Sequence, residues 1–292
     1  MSVLLCDSNC ELWHTRVKEL NVDFIPMPYC YNGVEYEYDL GENTDFDKFY
    51  SAVRGGAVPK TMALNPENYI EILSKYFEKG EDVLYISFSH AMSGTFNHLD
   101  TALKELKQKY PERKCTVFNT NSISLGTGLH VEAAAALKAE GATDEQIVEF
   151  LNGFTDRVAV YFVVDSLMHL KRGGRLSGAS AVAGTLLSLK PMLTFNAEGG
   201  LSVYSKIIGR KRAIKSLAEK VVSELTGTEY NVYVVDADCK KEGDELAAEI
   251  KAKRPDAKVV RQIVGPVIGS HGGPGTLGVL FVADKRPVPL VK

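Results

Sequence analysis

Short apolar runs alternate with amphipathic stretches of helical period through the first half of this 292-residue chain, and no other feature limits its fold as tightly. Val3 to Cys6, Phe24 to Pro28, Val83 to Phe88 and Thr116 to Asn119 have the length and apolar character of buried strands. Helical patterns fill the gaps. Pro66 to Phe77 opens on proline and sets Ile70, Leu73 and Phe77 on one stripe, while Asn97 to Tyr110 and Gly128 to Leu137 also have helical period. Thr143-Asp-Glu-Gln146 is a capping box that starts a further helix to about Phe154. Such alternation specifies an α/β domain with a mostly parallel sheet.

The texture changes after the apolar run Val158 to Val164. Gly173-Gly174 punctuation leads into a small-residue stretch, then Pro191 to Phe195, a turn at Glu198-Gly-Gly200, and Leu201 to Ile207, which together fit a hairpin. A helix from Arg210 to Leu225 follows, then strand Asn231 to Val235, helix Gly243 to Lys253, strand Lys258 to Ile263, a glycine-rich loop, and a last strand Thr276 to Val282. At this length and 45% hydrophobic composition a single core stops growing. We therefore expect two domains, an N-terminal α/β unit over 1–162 and a C-terminal α/β unit over 163–292, with the ligand in the crevice between them.

Composition narrows the function classes. A formal charge of -3 gives no overall basic field, which argues against nucleic acid or an anionic membrane as the main partner. Five cysteines, Cys6, Cys10, Cys30, Cys115 and Cys239, form no CxxC and are an odd number, the usage of reduced thiols in the cytoplasm. Cys6, Cys10 and His14 recur at intervals of four, but Cys6 ends a strand, so no metal site is expected. No stretch of about 18 apolar residues suggests a membrane span. Gly273-Pro-Gly-Thr-Leu-Gly278 satisfies GxGxxG without a following βαβ unit, and no GxxxxGK[ST] occurs, so neither nucleotide loop is expected.

The chemistry concentrates elsewhere. Tyr85 to Thr95 runs from a strand into a hydroxyl-rich turn, Ser93-Gly94-Thr95, where free N–H groups of a helix start receive a carboxylate or phosphate, although the same residues serve equally as ordinary caps. Thr61, just before the Pro66 helix, is another loop hydroxyl. His271 stands in the glycine-rich loop His271-Gly-Gly-Pro-Gly275, whose flexible backbone turns closely and aims the imidazole at an anion. Arg175, in the turn Lys171-Arg-Gly-Gly-Arg175, is expected to point inward and fork to that anion, while Lys206, Arg210, Lys211 and Arg212 form a surface patch suited to an acidic partner. Asp7-Ser8, after the first strand, sits where α/β proteins place ligands or helix caps. A serine hydrolase or acyltransferase using Ser93 and His271 is the alternative, against which stand the lack of a GxSxG elbow and of an acid beside the histidine loop.

These motifs, in this order, resemble the DegV family of bacterial lipid-binding proteins, which includes the fatty-acid-binding subunits of fatty acid kinase. The resemblance spans nearly the whole chain and rests on Asp7-Ser8, Pro59-Lys-Thr61, Ser93-Gly-Thr95, Asn121-Ser122 with Gly126-Thr-Gly128, Leu170 to Ser177, Leu189-Lys-Pro191 and His271 to Gly275. It implies a two-domain α/β fold with a fatty acid buried between the domains. It further implies a carboxylate held by hydroxyls matching Thr61 and Ser93 with Arg175 and His271 nearby, and a kinase subunit facing Lys206 to Arg212. The ligand implied is palmitate, stearate or a similar oleate-like acid, with no cofactor and with the protein itself not an enzyme. One departure is Met62-Ala63-Leu64, where family members carry Ser-Gln-Pro after the threonine. The apolar run Ala179 to Leu187 and the apolar sides of the early helices are the expected walls of the tail tunnel.

Overall fold

The computed structural model describes residues 2–175 and 189–289. The expected tunnel wall Ala179 to Leu187, and Leu176-Ser177 of the arginine loop, lie outside the described residues. The first part of the chain comprises β1 (Val3–Asp7), α1 (His14–Glu19), β2 (Asp23–Ile25), β3 (Met27–Tyr31), β4 (Val34–Tyr38), α2 (Phe46–Arg54), β5 (Lys60–Thr61) and α3 (Pro66–Phe77). It continues through β6 (Val83–Ser87), α4 (Thr95–Lys109), β7 (Cys115–Asn119), α5 (Leu125–Ala139) and α6 (Asp144–Thr155). Then come β8 (Val158–Val163), α7 (Met168–Arg172), β9 (Leu189–Phe195), β10 (Leu201–Ile208), α8 (Arg210–Glu224), β11 (Asn231–Asp236), α9 (Lys240–Lys253), β12 (Lys258–Ile263), α10 (Pro266–Gly272) and β13 (Leu277–Val282).

Two main sheets carry the fold. The first is fully parallel in the order β2-β1-β6-β7. Every residue of β6, VLYIS, is buried, as expected of an inner parallel strand covered on both faces. The second sheet is six-stranded and mixed, β10-β9-β8-β13-β11-β12, with only β11 and β12 parallel. The expected division at 162/163 falls inside β8, which pairs with β13 from Val158↔Val282 to Val163↔Leu277. All six residues of that strand belong to the second sheet, so by sheet membership the crossing precedes Val158.

One expected strand becomes two. Pro26 interrupts Phe24 to Pro28, so β2 stays in the parallel sheet while β3 leaves it to form a small antiparallel sheet, β4-β3-β5. Asn32 and Gly33 turn that hairpin with φ of 51° and 76°, the two positive values such a tight turn requires. Tyr29 and Tyr31 then meet Phe49 of α2 edge to face, anchoring the hairpin.

Helix α5 packs against β6 of the first sheet and against β8 and β13 of the second. It is buried at every position from Leu125 to Ala135, the signature of a helix enclosed on all sides. Glycine permits the close fit: a Cβ on Gly126 would lie 2.9 Å from a Val160 methyl, and one on Gly128 would lie 2.9 Å from the Cys10 carbonyl. Among the described residues no helix is long and apolar enough to cross a membrane.

A single carboxyl ties the two sheets' loops together. Glu11, wholly buried, accepts a hydrogen bond from the Gly265 N–H at 2.6 Å and is bonded to the Ser124 hydroxyl, while its backbone carbonyl accepts from Gln262. Burial drives its pKa up from 4.5 to about 8. The folded carboxyl therefore keeps a proton that the unfolded chain releases, so stability falls as pH rises from 4.5 towards 8. Glu11→Gln is expected to flatten that fall, which is on the order of 1 kcal/mol per pH unit for one proton. Urea denaturation at pH 5 and pH 8 checks this, since an unchanged slope in the variant assigns the fall to another group.

Candidate ligand-binding site

An apolar cavity lies between the second sheet and the loops at the carboxyl ends of the first. Alternate residues of the second sheet, Val160 and Phe162 of β8 and Gly278 and Leu280 of β13, form its floor, because successive side chains of a strand point to opposite faces. Val267 and Ile268 of α10 line one side, and Met27, Met62, Phe88 and Met92 line the other. The empty volume is about 930 Å³, open solvent at the mouth included.

Thr61, Ser93, Arg175 and His271 all reach this cavity. Thr61 is carried there by β5, which pairs with β3 through Tyr29↔Thr61. His271 stands in the last turn of α10, not in a loop, and the glycine-rich turn begins after it at Gly273, with φ of 74°. Its Nε2 lies 2.9 Å from Thr61 Oγ1, while among the described residues Nδ1 is buried without a partner. The imidazole also packs on bare backbone, since a Cβ on Gly173 would come within 2.1 Å of Nδ1. Burial, with the nearby Arg175 guanidinium adding to it, holds the ring's pKa down to about 4.

Arg175 projects from the turn after α7. Its Nε donates to the Met92 carbonyl at 3.1 Å and Nη1 donates to the Gly173 carbonyl. Among the described residues no carboxylate pairs with it, and burial alone lowers its pKa. A half-buried guanidinium that meets only carbonyl oxygens retains N–H groups for an anion. Ser93 contributes a hydroxyl whose oxygen accepts the Thr95 N–H at 3.2 Å, so it tightens the turn before α4 and lines the cavity as well.

The other expected residues are placed differently. Gly94 precedes α4 and lines a polar cleft with His90, Asn97 and Asp100, which adjoins the cavity along Met92, Ser93, Arg175 and Leu201. Thr95 is wholly buried, bonded to Tyr69 Oη at 3.0 Å and to the Leu64 carbonyl, so it fastens α4 to α3 instead of facing the cavity. Asp7 and Ser8 are turned inward too: Asp7 accepts from Tyr85 Oη and the Asn9 N–H, and Ser8 accepts the Met27 N–H. Desolvation outweighs those bonds and raises the Asp7 pKa to about 6. In the basic patch, Lys206, Lys211 and Arg212 are exposed, whereas Arg210 is partly buried with its Nε 3.2 Å from Glu242 of α9. That pairing removes Arg210 from the exposed patch.

Among the polar cavity residues that escaped the sequence reading are Asn9 and Ser124, which follow β1 and β7 at the carboxyl ends of the parallel sheet. The rule that open α/β sheets bind ligands beyond those ends points to both. Among the described residues no cluster of three or more His, Cys, Asp or Glu side chains is placed to hold a metal. Nor do Ser93 and His271 meet as nucleophile and base, since the ring's Nε2 faces Thr61 and its Nδ1 faces no acid.

A two-sheet α/β protein with a buried apolar cavity and a polar rim of hydroxyls, imidazole and guanidinium is thus defined. The profile described as "Uncharacterised protein, DegV family" matches residues 2–284, and the chain belongs to the DegV family. A DegV domain-containing protein of Clostridium perfringens is 34% identical over 285 residues, covering 97% of this chain and 98% of that one. A solved DegV family protein of Thermus thermophilus, described by its fatty acid binding, superposes with a TM-score of 0.84 at 30% identity, covering 96% and 99% of the two chains. DegV of Bacillus subtilis, described as a fatty acid binding protein, gives a TM-score of 0.83 at 27% identity over 96% and 98%. The expected mixed α/β architecture is the family's fold.

The His271 environment gives a direct expectation. Its ring protons should hold a constant NMR shift from pH 8 to pH 5 and move only near pH 4. A midpoint near 6.5 would show that the ring is solvated and not enclosed.

Proposed function

We propose that this protein binds a long-chain fatty acid, with the tail in the apolar cavity and the carboxylate at Thr61, Ser93, Arg175 and His271. The observation that carries this reading is Arg175, a half-buried cation with no carboxylate partner among the described residues, at the edge of a mostly apolar cavity. Each buried methylene contributes about 0.8 kcal/mol, so a long tail supplies on the order of 10 kcal/mol before ordering costs. The carboxylate costs several kcal/mol to desolvate unless it is hydrogen-bonded, and a cation with two hydroxyls offsets that cost. With Nε2 protonated, His271 donates to Thr61 Oγ1 and leaves the threonine's own hydrogen for the carboxylate. The fatty-acid-binding descriptions of the Thermus and Bacillus relatives support the same reading.

The exposed cations Lys206, Lys211 and Arg212, beside Ile208 on edge strand β10, suit an acidic partner surface. We take that partner to be a kinase subunit that phosphorylates the presented carboxylate, with this chain as its substrate carrier in the cytoplasm and not itself the phosphoryl-transfer enzyme. The five free cysteines suit that reducing compartment.

Native mass spectrometry, followed by organic extraction of purified protein, tests the central claim. One fatty acid per chain is expected. Arg175→Gln and Thr61→Val should each weaken oleate binding, about tenfold or more for the charged contact, with the melting temperature of the delipidated protein little changed. Absence of any lipid, together with failure to take up added oleate or palmitate, overturns the proposal.

A further inference from the structure

The cavity wall is not uniformly apolar away from the Arg175 end. Asn9 and Ser124 are 2% and 6% exposed, and both line the cavity. Glu11 stands behind Ser124 with its carboxyl on that hydroxyl and on the Gly265 N–H. Helix α10 relates this group to the carboxylate site: Gly265 caps its start and His271 lies in its last turn, about 9 Å of helix rise apart. The apolar Val267 and Ile268 lie between.

Ser124 holds an uncommon backbone conformation, φ 55° and ψ -146°, one that glycine adopts freely and other residues adopt at a cost. The hydroxyl is thus kept in the wall despite a local penalty. Its chemistry differs from that of the Arg175 end. Buried acids stand behind both residues, Glu11 on the Ser124 hydroxyl and Asp7 on the Asn9 N–H, in place of a cation that would pair a carboxylate. The Ser124 hydroxyl donates to Glu11 Oε2, so its oxygen keeps lone pairs that can accept from a ligand hydroxyl, and the Asn9 carboxamide adds a further polar group to the same wall. A neutral oxygen function fits this pair, whereas a plain methylene offers neither the Ser124 oxygen nor the Asn9 carboxamide a hydrogen bond.

We propose that the cavity accepts an acyl chain bearing a neutral oxygen function, a hydroxyl or oxo group, on a carbon remote from the carboxyl, held by Ser124 and Asn9. This inference rests on the fatty-acid reading above and refines its ligand class.

A series of monohydroxy octadecanoic acids, with the hydroxyl moved along the chain, is compared with stearate by competition binding. One interior hydroxyl position is expected to bind about tenfold tighter than stearate, the gain of a buried hydrogen bond that would otherwise go unmade. Ser124→Gly, which suits the backbone and removes the hydroxyl, and Asn9→Leu should each erase that gain while leaving stearate affinity within about threefold. If no hydroxyl position exceeds stearate, the proposal is overturned, as it is if the variants weaken both ligands alike. Should Ser124→Gly fail to fold, the wild-type series and Asn9→Leu still decide. Failure of stearate itself to bind is a separate result, which removes the fatty-acid reading and this inference with it.

Discussion

Glu11 is the point on which the arrangement of the two sheets turns. Its carboxyl engages Ser124 at the entrance to α5 and the Gly265 N–H at the start of α10, and its backbone carbonyl engages Gln262 near the end of β12. Three loops from distant parts of the chain are thereby held in register around a single buried acid. A buried polar group left without a partner costs about 1–3 kcal/mol, so each of these bonds penalises any relative shift of the loops. The Gly265 bond lies at the start of α10, the helix whose last turn carries His271, 2.9 Å from Thr61 Oγ1. Helix α5 fills the space between the sheets only because glycine and alanine keep its faces thin.

The same scaffold separates two electrostatic environments within one cavity. Arg175 and a neutral His271 occupy one end, while protonatable acids lie behind Asn9 and Ser124. Burial shifts the acids upward and the imidazole downward, each towards its uncharged form. Arg175 stays charged, because a guanidinium does not lose its proton in the physiological range, and this makes it the fixed point for an anion.

Much of this architecture was legible in the chain, and the losses have physical causes. The inner parallel strands were readable because burial on both faces makes them continuously apolar, and the β9–β10 hairpin because Gly199-Gly200 marks its turn. The hairpin at Asn32-Gly33 carried an equally strong local signal and was passed over because Tyr, Glu and Pro around it blur the alternation. Helix α10 was hidden by two glycines and its short length; contacts such as Glu11 on Gly265 stabilise it, and these do not show in local propensity. The inward turns of Thr95 and Arg210 were equally invisible, since their partners Tyr69 and Glu242 lie 26 and 32 residues away. Residue type marked out the candidate group, and topology sorted it into cavity lining and internal fastening.

The departure at Met62 acquires a meaning in this setting. Met62 lines the cavity immediately after Thr61, where the family resemblance led us to expect a polar side chain. On the proposed reading, carboxylate contacts on that side are fewer, and the flexible thioether seals the space with apolar surface. Arg175, Ser93 and the Thr61–His271 pair then hold the anion, while among the described residues His271 Nδ1 is buried without a hydrogen-bond partner. On the proposed reading, a partly desolvated guanidinium and an apolar wall are two costs that one ligand can offset. Occupancy by an anionic amphiphile relieves both at once and stabilises the fold by mass action. Binding and folding are then coupled through the same few residues, and the tail, by burying most of the surface, sets the strength of that coupling.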